Sequence, residues 1–342
     1  MSDELTGYLS RCRDSVFLHI RGYLEKRTAA LPSSMRKCVV DYPYRRGKAL
    51  RPALIMLFNG AYGGRRAESV KVAATYQLLE DWGIGRDDIL DGGTLRRGRP
   101  SLHILYGMPR AVNALDMLHD CVCDMLYSYC GLSPRRYKAL HSLFSEATSV
   151  TLGGQHLDIG ARDISLERFT GRAYMRIAEM KTAFYTVTAP CLLGAEISGK
   201  KRGAAAIREF GRALGTAFQI IDDVLDAEND GSGLFGKAPG NDILEGKRTL
   251  LVAAAFRRLA GAKKRRMAKF YSMPSMKRSP QMVAEIRRDI LASGAPGECR
   301  AKAEELTAAA LRIFELRLYP AMKGPCRDMI RDLALKLRDR SF

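Results

Sequence analysis

An all-helical fold is what this sequence predicts. Three observations carry the expectation: apolar residues recur at helical spacing, strand-like alternation is nowhere sustained, and the composition can fill a large core. Hydrophobic residues make up 46% of the 342, well above the composition of chains that stay unfolded. Leu50, Ala53, Leu54, Leu57, Phe58 and Ala61 recur at intervals of three and four, as one buried helix face does. Ile207, Phe210, Leu214, Ala217, Phe218 and Ile221 repeat the pattern. Turn signals separate the helices at Gly63-Gly64, Gly92-Gly93, Ser133-Pro134, Gly153-Gly154, Ser198-Gly199, Gly231 to Gly240 and Ser293 to Gly297. Pro190 falls inside a helical stretch from about Gly171 to Ile197 and is expected to kink it, since proline removes a backbone N–H. No low-complexity linker divides the chain, so residues 1–342 read as a single domain.

The formal net charge of +19 restricts partners more than fold. Part of the excess lies in Lys263, Lys264, Arg265, Arg266, Lys269, Lys277 and Arg278. Such a stretch can attract nucleic acid or an anionic membrane surface. No aromatic or glycine signature of nucleic-acid binding accompanies it, so a solvated basic face is expected, with peripheral membrane contact left open. The eight cysteines show no CxxC pair and no matching histidine spacing, and read as free thiols in helix packing. The opening Met1-Ser-Asp-Glu-Leu-Thr lacks the basic and apolar run of a secretory signal. No apolar run reaches the ~20 residues that span a bilayer. A soluble, cytoplasmic protein is expected.

Chemistry concentrates in two similar segments, Asp87-Asp88-Ile89-Leu90-Asp91 and Asp222-Asp223-Val224-Leu225-Asp226. On a helix the carboxylates of each share one side. Near a helix C-terminus they meet the unfavourable end of the macrodipole, so they need cations. Oxygen donors without histidine or thiolate favour a hard ion, and magnesium bridging to phosphate fits best. Each segment is followed by bases: Arg96-Arg97-Gly98-Arg99-Pro100 after the first, then Lys237 and Lys247-Arg248-Thr249 after the second. Acid for a metal beside base for phosphate is what a metal–diphosphate site requires. Upstream, Gly47-Lys48-Ala49-Leu50-Arg51-Pro52 is expected to open a helix, with Lys48 and Arg51 on one face beside its N-terminus. Gln155 and Asp158 stand one turn apart, and Lys181-Thr182 lie mid-helix. A lysine there either snorkels or is buried and paired beside a phosphate.

In consistent order from Arg46 to Thr249, GKALRP, DDILD with RRGRPSLH, GQHLD, KTA, FQIIDDVLD, GK and GNDILEGKRTL resemble the trans-isoprenyl diphosphate synthase (polyprenyl synthetase) family. The resemblance, with its motifs in residues 46–250, implies a single-domain helical bundle of the isoprenoid synthase type with a central substrate cavity. It implies that Asp87, Asp88, Asp91, Asp222, Asp223 and Asp226 hold Mg2+, about three ions per active site. Arg96, Lys181, Lys237 and Lys247 match residues around the allylic diphosphate; Lys48, Arg51 and Arg97 match those that bind isopentenyl diphosphate. Thr182 and Gln219 match polar groups facing the forming allylic cation. The implied reaction is head-to-tail condensation of an allylic diphosphate with isopentenyl diphosphate, in a homodimer.

Departures from the family pattern cluster before the first motif. Glu80 stands seven residues before Asp87, where histidine or glutamine usually contacts isopentenyl diphosphate. Arg86 replaces a common histidine, and Arg46 the first glycine of the usual Gly-Gly-Lys. Trp82 resembles the aromatic floor of enzymes with short products, whereas Gly83 and Gly85 are expected to leave room, at about 1 kcal/mol each in a helix. A product of roughly fifteen to twenty carbons is expected from that pocket. Two alternatives follow. One is a class I terpene synthase ionising a single allylic diphosphate, for which Glu80 is the motive. The other is a non-catalytic partner subunit, against which all six aspartates stand.

Overall fold

Helices carry nearly the whole of the described chain, residues 3–199, 203–229 and 240–339 of a computed structural model. Contacts group it into two compact units. The first contains α1 (Asp3–Arg27), α2 (Ser33–Tyr44), α3 (Leu50–Ala61), α4 (Arg66–Asp91), α5 (Leu102–Tyr106), α6 (Met108–Asp124) and the start of α7 (Pro134–Ala161). Also in this unit are α9 (Ala189–Ile197) and much of α16 (Pro325–Asp339). The second contains the rest of α7, α8 (Gly171–Ala178), almost all of α10 (Ala204–Glu228), α11 (Asn241–Glu245), α12 (Leu250–Arg258), α13 (Gly261–Tyr271), α14 (Pro280–Ala292) and α15 (Ala295–Ile313).

In the first unit α3 is the central element, with Pro52 to Asn59 buried without a break. Gly194 on α9 allows close packing: a Cβ there would lie 2.5 Å from the Ile55 carbonyl oxygen. α4 ends at Gly92, whose left-handed φ of 66° lets its N–H reach the carbonyls of Asp88 and Ile89. The basic run that follows forms a minimal hairpin, β1 (Leu95–Arg96) paired antiparallel with β2 (Arg99–Pro100). Its two-residue turn, Arg97-Gly98, has positive φ at both positions, as a type I′ turn demands.

In the second unit the apolar stripe of α10 (Ala217, Ile220, Ile221, Val224) packs into a cluster with Ala255, Met267, Phe270, Ile286 and Ala303. Helix starts are capped as the sequence favours: Thr170 accepts from Ala173 N, Thr249 from Val252 N, and Ser279, followed by Pro280, from Met282 N.

Some local expectations need correction. Gly153-Gly154 do not make a turn; both lie inside α7. Any Cβ on Gly154 would overlap the backbone of Lys181, so close approach between segments of the second unit explains the glycine. Nor do Lys48 and Arg51 share a helical face. Lys48 precedes α3, and Ala49 takes a left-handed φ of 55°, which breaks the helical period between them. Gly85 leaves no room, because the Leu115 side chain of α6 occupies the place a Cβ would take. Pro190, as expected, does not end its helix. The ten residues before α9, Glu179–Thr188, are wound wider as π-helix, a form that recurs at functional sites.

The eight cysteines are free. Within the basic stretch Lys263 and Arg266 pair with Asp289, and Arg278 donates to the carbonyls of Leu244 and Met273. Much of that charge is therefore already engaged in the fold.

Candidate active site

The first aspartate cluster occupies the last turns of α4, where Asp87 and Asp91 are half-buried and Asp88 is buried. Asp88 is held from two sides. Tyr42 on α2 donates its hydroxyl to Oδ2 over 2.6 Å, and Arg96 Nε lies 3.0 Å from Oδ1, with Nη2 closing a second bond to the same oxygen. Burial, reinforced by the Asp88 carboxylate, pushes the Tyr42 hydroxyl above its ordinary range, so it stays a donor. The hairpin that brings Arg96 here is clamped by Arg45. Its guanidinium pairs with Asp41 and donates to the carbonyls of Arg96 and Pro100, each over 2.8 Å.

The bases expected to meet isopentenyl diphosphate gather in the same unit. A Cβ on Gly47 would lie 2.9 Å from Arg97 Nη2, so Arg97 rests on the backbone beside Lys48. Among the described residues the non-glycine positions with left-handed φ are Arg46, Ala49 and Arg97. Each costs roughly 1–2 kcal/mol, and all of them fall within these basic segments, as strain at functional positions does. Arg46 thus stands where glycine would be unstrained; it pairs with Asp14 and stacks over Phe17.

Glu80 answers for its own charge: its Oε1 is 2.9 Å from Arg51 Nη1. Its neighbour Asp81, fully buried, is 2.8 Å from Arg97 Nη2. Burial pushes the Asp81 carboxyl up to about 7, with Arg97 opposing and Glu80 reinforcing. Trp82 packs its ring against His119 of α6, and Arg86 lies over it.

The second cluster lies near the end of α10, with Asp222 and Asp226 half-buried and Asp223 buried. Asp223 receives the Tyr174 hydroxyl on Oδ2 and the Gln219 amide on Oδ1, both over 2.6 Å. Thr182 donates to the other end of Gln219 over 2.7 Å, so a chain of bonds runs from Thr182 to the carboxylate. Burial, helped by the nearby Asp242 carboxylate, raises the Asp223 carboxyl well above its usual range, although the two donors pull it down. Asp226 Oδ2 accepts from the backbone N–H of Asp242 over 3.1 Å.

Lys181 lies in the π-helical segment and is paired, with Nζ 2.7 Å from Asp158 Oδ2; Asp158 and Gln155 are both buried. Lys247 reaches Asp242 and Glu245, each at 2.9 Å. Its neighbour Arg248 serves the fold, donating to the carbonyls of Arg162, Ile164, Gly246 and Tyr271. Lys237 lies outside the described residues, as does the proposed turn from Gly231 up to residue 239.

Sequence reasoning missed Tyr42, Tyr174, Arg45 and Asp81. Only Asp81, a charge in an otherwise apolar helix stretch beside Glu80, offered a signal. The donor set suits magnesium, since its hard carboxylate oxygens include a buried one, on Asp223, whose donors among the described residues are neutral. Among the described residues no three His, Cys, Asp or Glu side chains converge on one point. Magnesium commonly takes one or two carboxylates and completes its shell with phosphate and water.

Comparison with known proteins gives one pattern. The family model described as polyprenyl synthetase matches residues 33–290. The chain is 34% identical over 224 residues to the short chain isoprenyl diphosphate synthase of Methanothermobacter thermautotrophicus, covering 65% of this chain and 66% of that protein. It is 30% identical over 255 residues to the geranylgeranyl diphosphate synthase of Saccharolobus solfataricus, covering 73% and 74%. A crystal structure of a geranylgeranyl pyrophosphate synthase superposes with a TM-score of 0.85 at 22% identity, over 97% of this chain and 98% of that one, a likeness of fold.

Proposed function

This chain belongs to the polyprenyl synthetase family, and from that premise we propose that it condenses an allylic diphosphate with isopentenyl diphosphate, head to tail. Residues 1–342 serve this one activity, with a product of roughly fifteen to twenty carbons set by the pocket below the first cluster. The observation that carries the reading is the direct bond between Arg96 and Asp88. It joins a base suited to a leaving diphosphate to a carboxylate suited to the metal that diphosphate needs.

Asp87, Asp88 and Asp91, and Asp222, Asp223 and Asp226, would hold Mg2+, about three ions in all. Bound magnesium supplies positive charge that neutralises the departing diphosphate. Arg96 and Lys181 contribute fixed charge for the same oxygens, supported by Lys247 and Lys237, and so favour ionisation of the allylic carbon–oxygen bond. Thr182, its proton committed to Gln219, keeps its oxygen lone pairs for the electron-poor carbon. Lys48, Arg51 and Arg97 orient isopentenyl diphosphate so that its double bond meets the cation. Loss of one proton, to the departing diphosphate, completes the addition.

The test is product analysis with labelled isopentenyl diphosphate, Mg2+ and allylic primers of increasing length. Condensation on at least one primer is expected. None on any primer, or hydrocarbon released from the allylic substrate alone, would refute the proposal. We further propose a homodimer, checked by sedimentation. No helix among the described residues is long and apolar enough to cross a membrane. Peripheral contact through the Lys263–Lys269 face would be tested with anionic vesicles.

A further inference from the structure

The inference rests on the reading that Lys48, Arg51 and Arg97 receive the second diphosphate. One turn of α4 sets consecutive carboxylates against two of those cations. Glu80 meets Arg51 at 2.9 Å and Asp81 meets Arg97 at 2.8 Å. Successive helical residues point about 100° apart, which is how one turn reaches both α3 and the hairpin. On the same turn, Gln77 Oε1, Glu80 Oε2 and Asp81 Oδ2 are buried acceptors without a hydrogen-bond partner among the described residues. Gln77 already spends an amide hydrogen on Asp81 Oδ1, over 3.4 Å. A buried surplus of acceptors over donors is a place where one more proton would satisfy two atoms at once.

We propose that Asp81 is a positioning residue that makes the second-substrate site proton-dependent: it holds Arg97 while the site is empty, and takes up a proton when a diphosphate draws the guanidinium away. A buried carboxylate stripped of its cation is an uncompensated charge, so neutralising it is the less costly course. Gln77, whose amide already reaches Asp81, carries the unpartnered oxygen that would accept that proton. The balance is simple. The ion pair between Arg97 and Asp81 breaks, one between Arg97 and phosphate forms, one proton passes from solvent to Asp81, and no covalent skeleton changes.

Burial raises the Asp81 carboxyl to about 7 even with Arg97 beside it, which brings the exchange within reach of neutral pH. The charged groups bearing on it are Arg97 from the hairpin, Glu80 on its own helix and, through Glu80, Arg51 on α3. From α6, His119 lies against the adjacent Trp82, with Arg86 over the same ring. The exchange selects strongly anionic acceptors, since only these compete with Asp81 for the guanidinium.

The experiment measures KM for isopentenyl diphosphate between about pH 6 and 9, at saturating allylic diphosphate and Mg2+, in wild type and Asp81→Asn. Above neutrality KM should rise in the wild type by up to about tenfold per pH unit, one proton being linked. It should be nearly flat in the variant, while the allylic KM shows no such difference. Titration calorimetry in two buffers of different ionisation heat should count up to one more proton taken up by wild type than by the variant. Equal slopes or equal proton counts would overturn the inference. Should the variant fail to fold, the wild-type count above about pH 8 decides: there the free diphosphate has already lost its protons, so net uptake must come from the protein, and no uptake overturns the idea. Absence of any condensation would defeat the proposed function instead, and would leave the calorimetric count readable.

Discussion

Asp88 and Asp223 hold the same place in matching segments, yet their surroundings differ in kind. Each is buried and each accepts a tyrosine hydroxyl over 2.6 Å. Asp88 adds a guanidinium, Arg96. Asp223 adds a neutral amide, Gln219, and has Asp242 close enough to raise its carboxyl further. Among the described residues, Asp88 therefore has its charge compensated by a guanidinium, whereas Asp223 is bonded to neutral donors. A repeated motif sets where carboxylates stand, and their neighbours set how each one behaves.

The largest expected effect is common to both regions and tests whether they serve one reaction. Asp88→Ala and Asp223→Ala should each lower the condensation rate by about 10³-fold or more at saturating Mg2+. Retention of more than about a tenth of the wild-type rate by either variant would remove that cluster from the chemistry.

Stability should then separate the two. Asp88→Asn strips a largely buried guanidinium of its partner and should cost about 3 kcal/mol in urea unfolding. Asp223→Asn removes a buried carboxyl whose donors among the described residues are neutral, and should cost less than about 1 kcal/mol. Equal costs would break the comparison.

The tyrosines sharpen it further. Tyr42→Phe deletes a bond to a charged carboxylate and should cost about 2 kcal/mol, against about 1 kcal/mol for Tyr174→Phe, by thermal unfolding. The reverse order would mean that Asp223 is the more strongly charged of the two.

Last and smallest, Glu80→His should release Arg51 toward the second diphosphate and lower its KM by about threefold, with kcat little changed. Unchanged or weaker binding would mean that the ion pair between Arg51 and Glu80 persists when substrate is bound.

Much of this was legible beforehand because it is local. Apolar spacing located the helix bearing Pro52 to Phe58, and the order of the motifs located Asp87 and Asp222 near helix ends. Local rules also failed where backbone and packing override them. Gly153-Gly154 reads as a turn until the backbone of Lys181 is found against it. The spacing of Lys48 and Arg51 reads as one face until the left-handed Ala49 intervenes. Glu80 reads as a departure from the usual histidine or glutamine until Arg51 is found beside it. Arg97-Gly98, too short a turn for any periodicity, owes its placement to Arg45 clamping the strands around it.

What the sequence determined by itself was the helical period, the spacing of the aspartates and the supply of bases after them, since these follow from neighbours a few residues apart. What only the tertiary structure decided was the charge state and partner of each acidic group. Tyr42 is 46 residues from Asp88, and Tyr174 is 49 from Asp223. Burial and hydrogen bonding are properties of the folded surroundings, and no spacing along the chain encodes which distant hydroxyl or guanidinium will arrive.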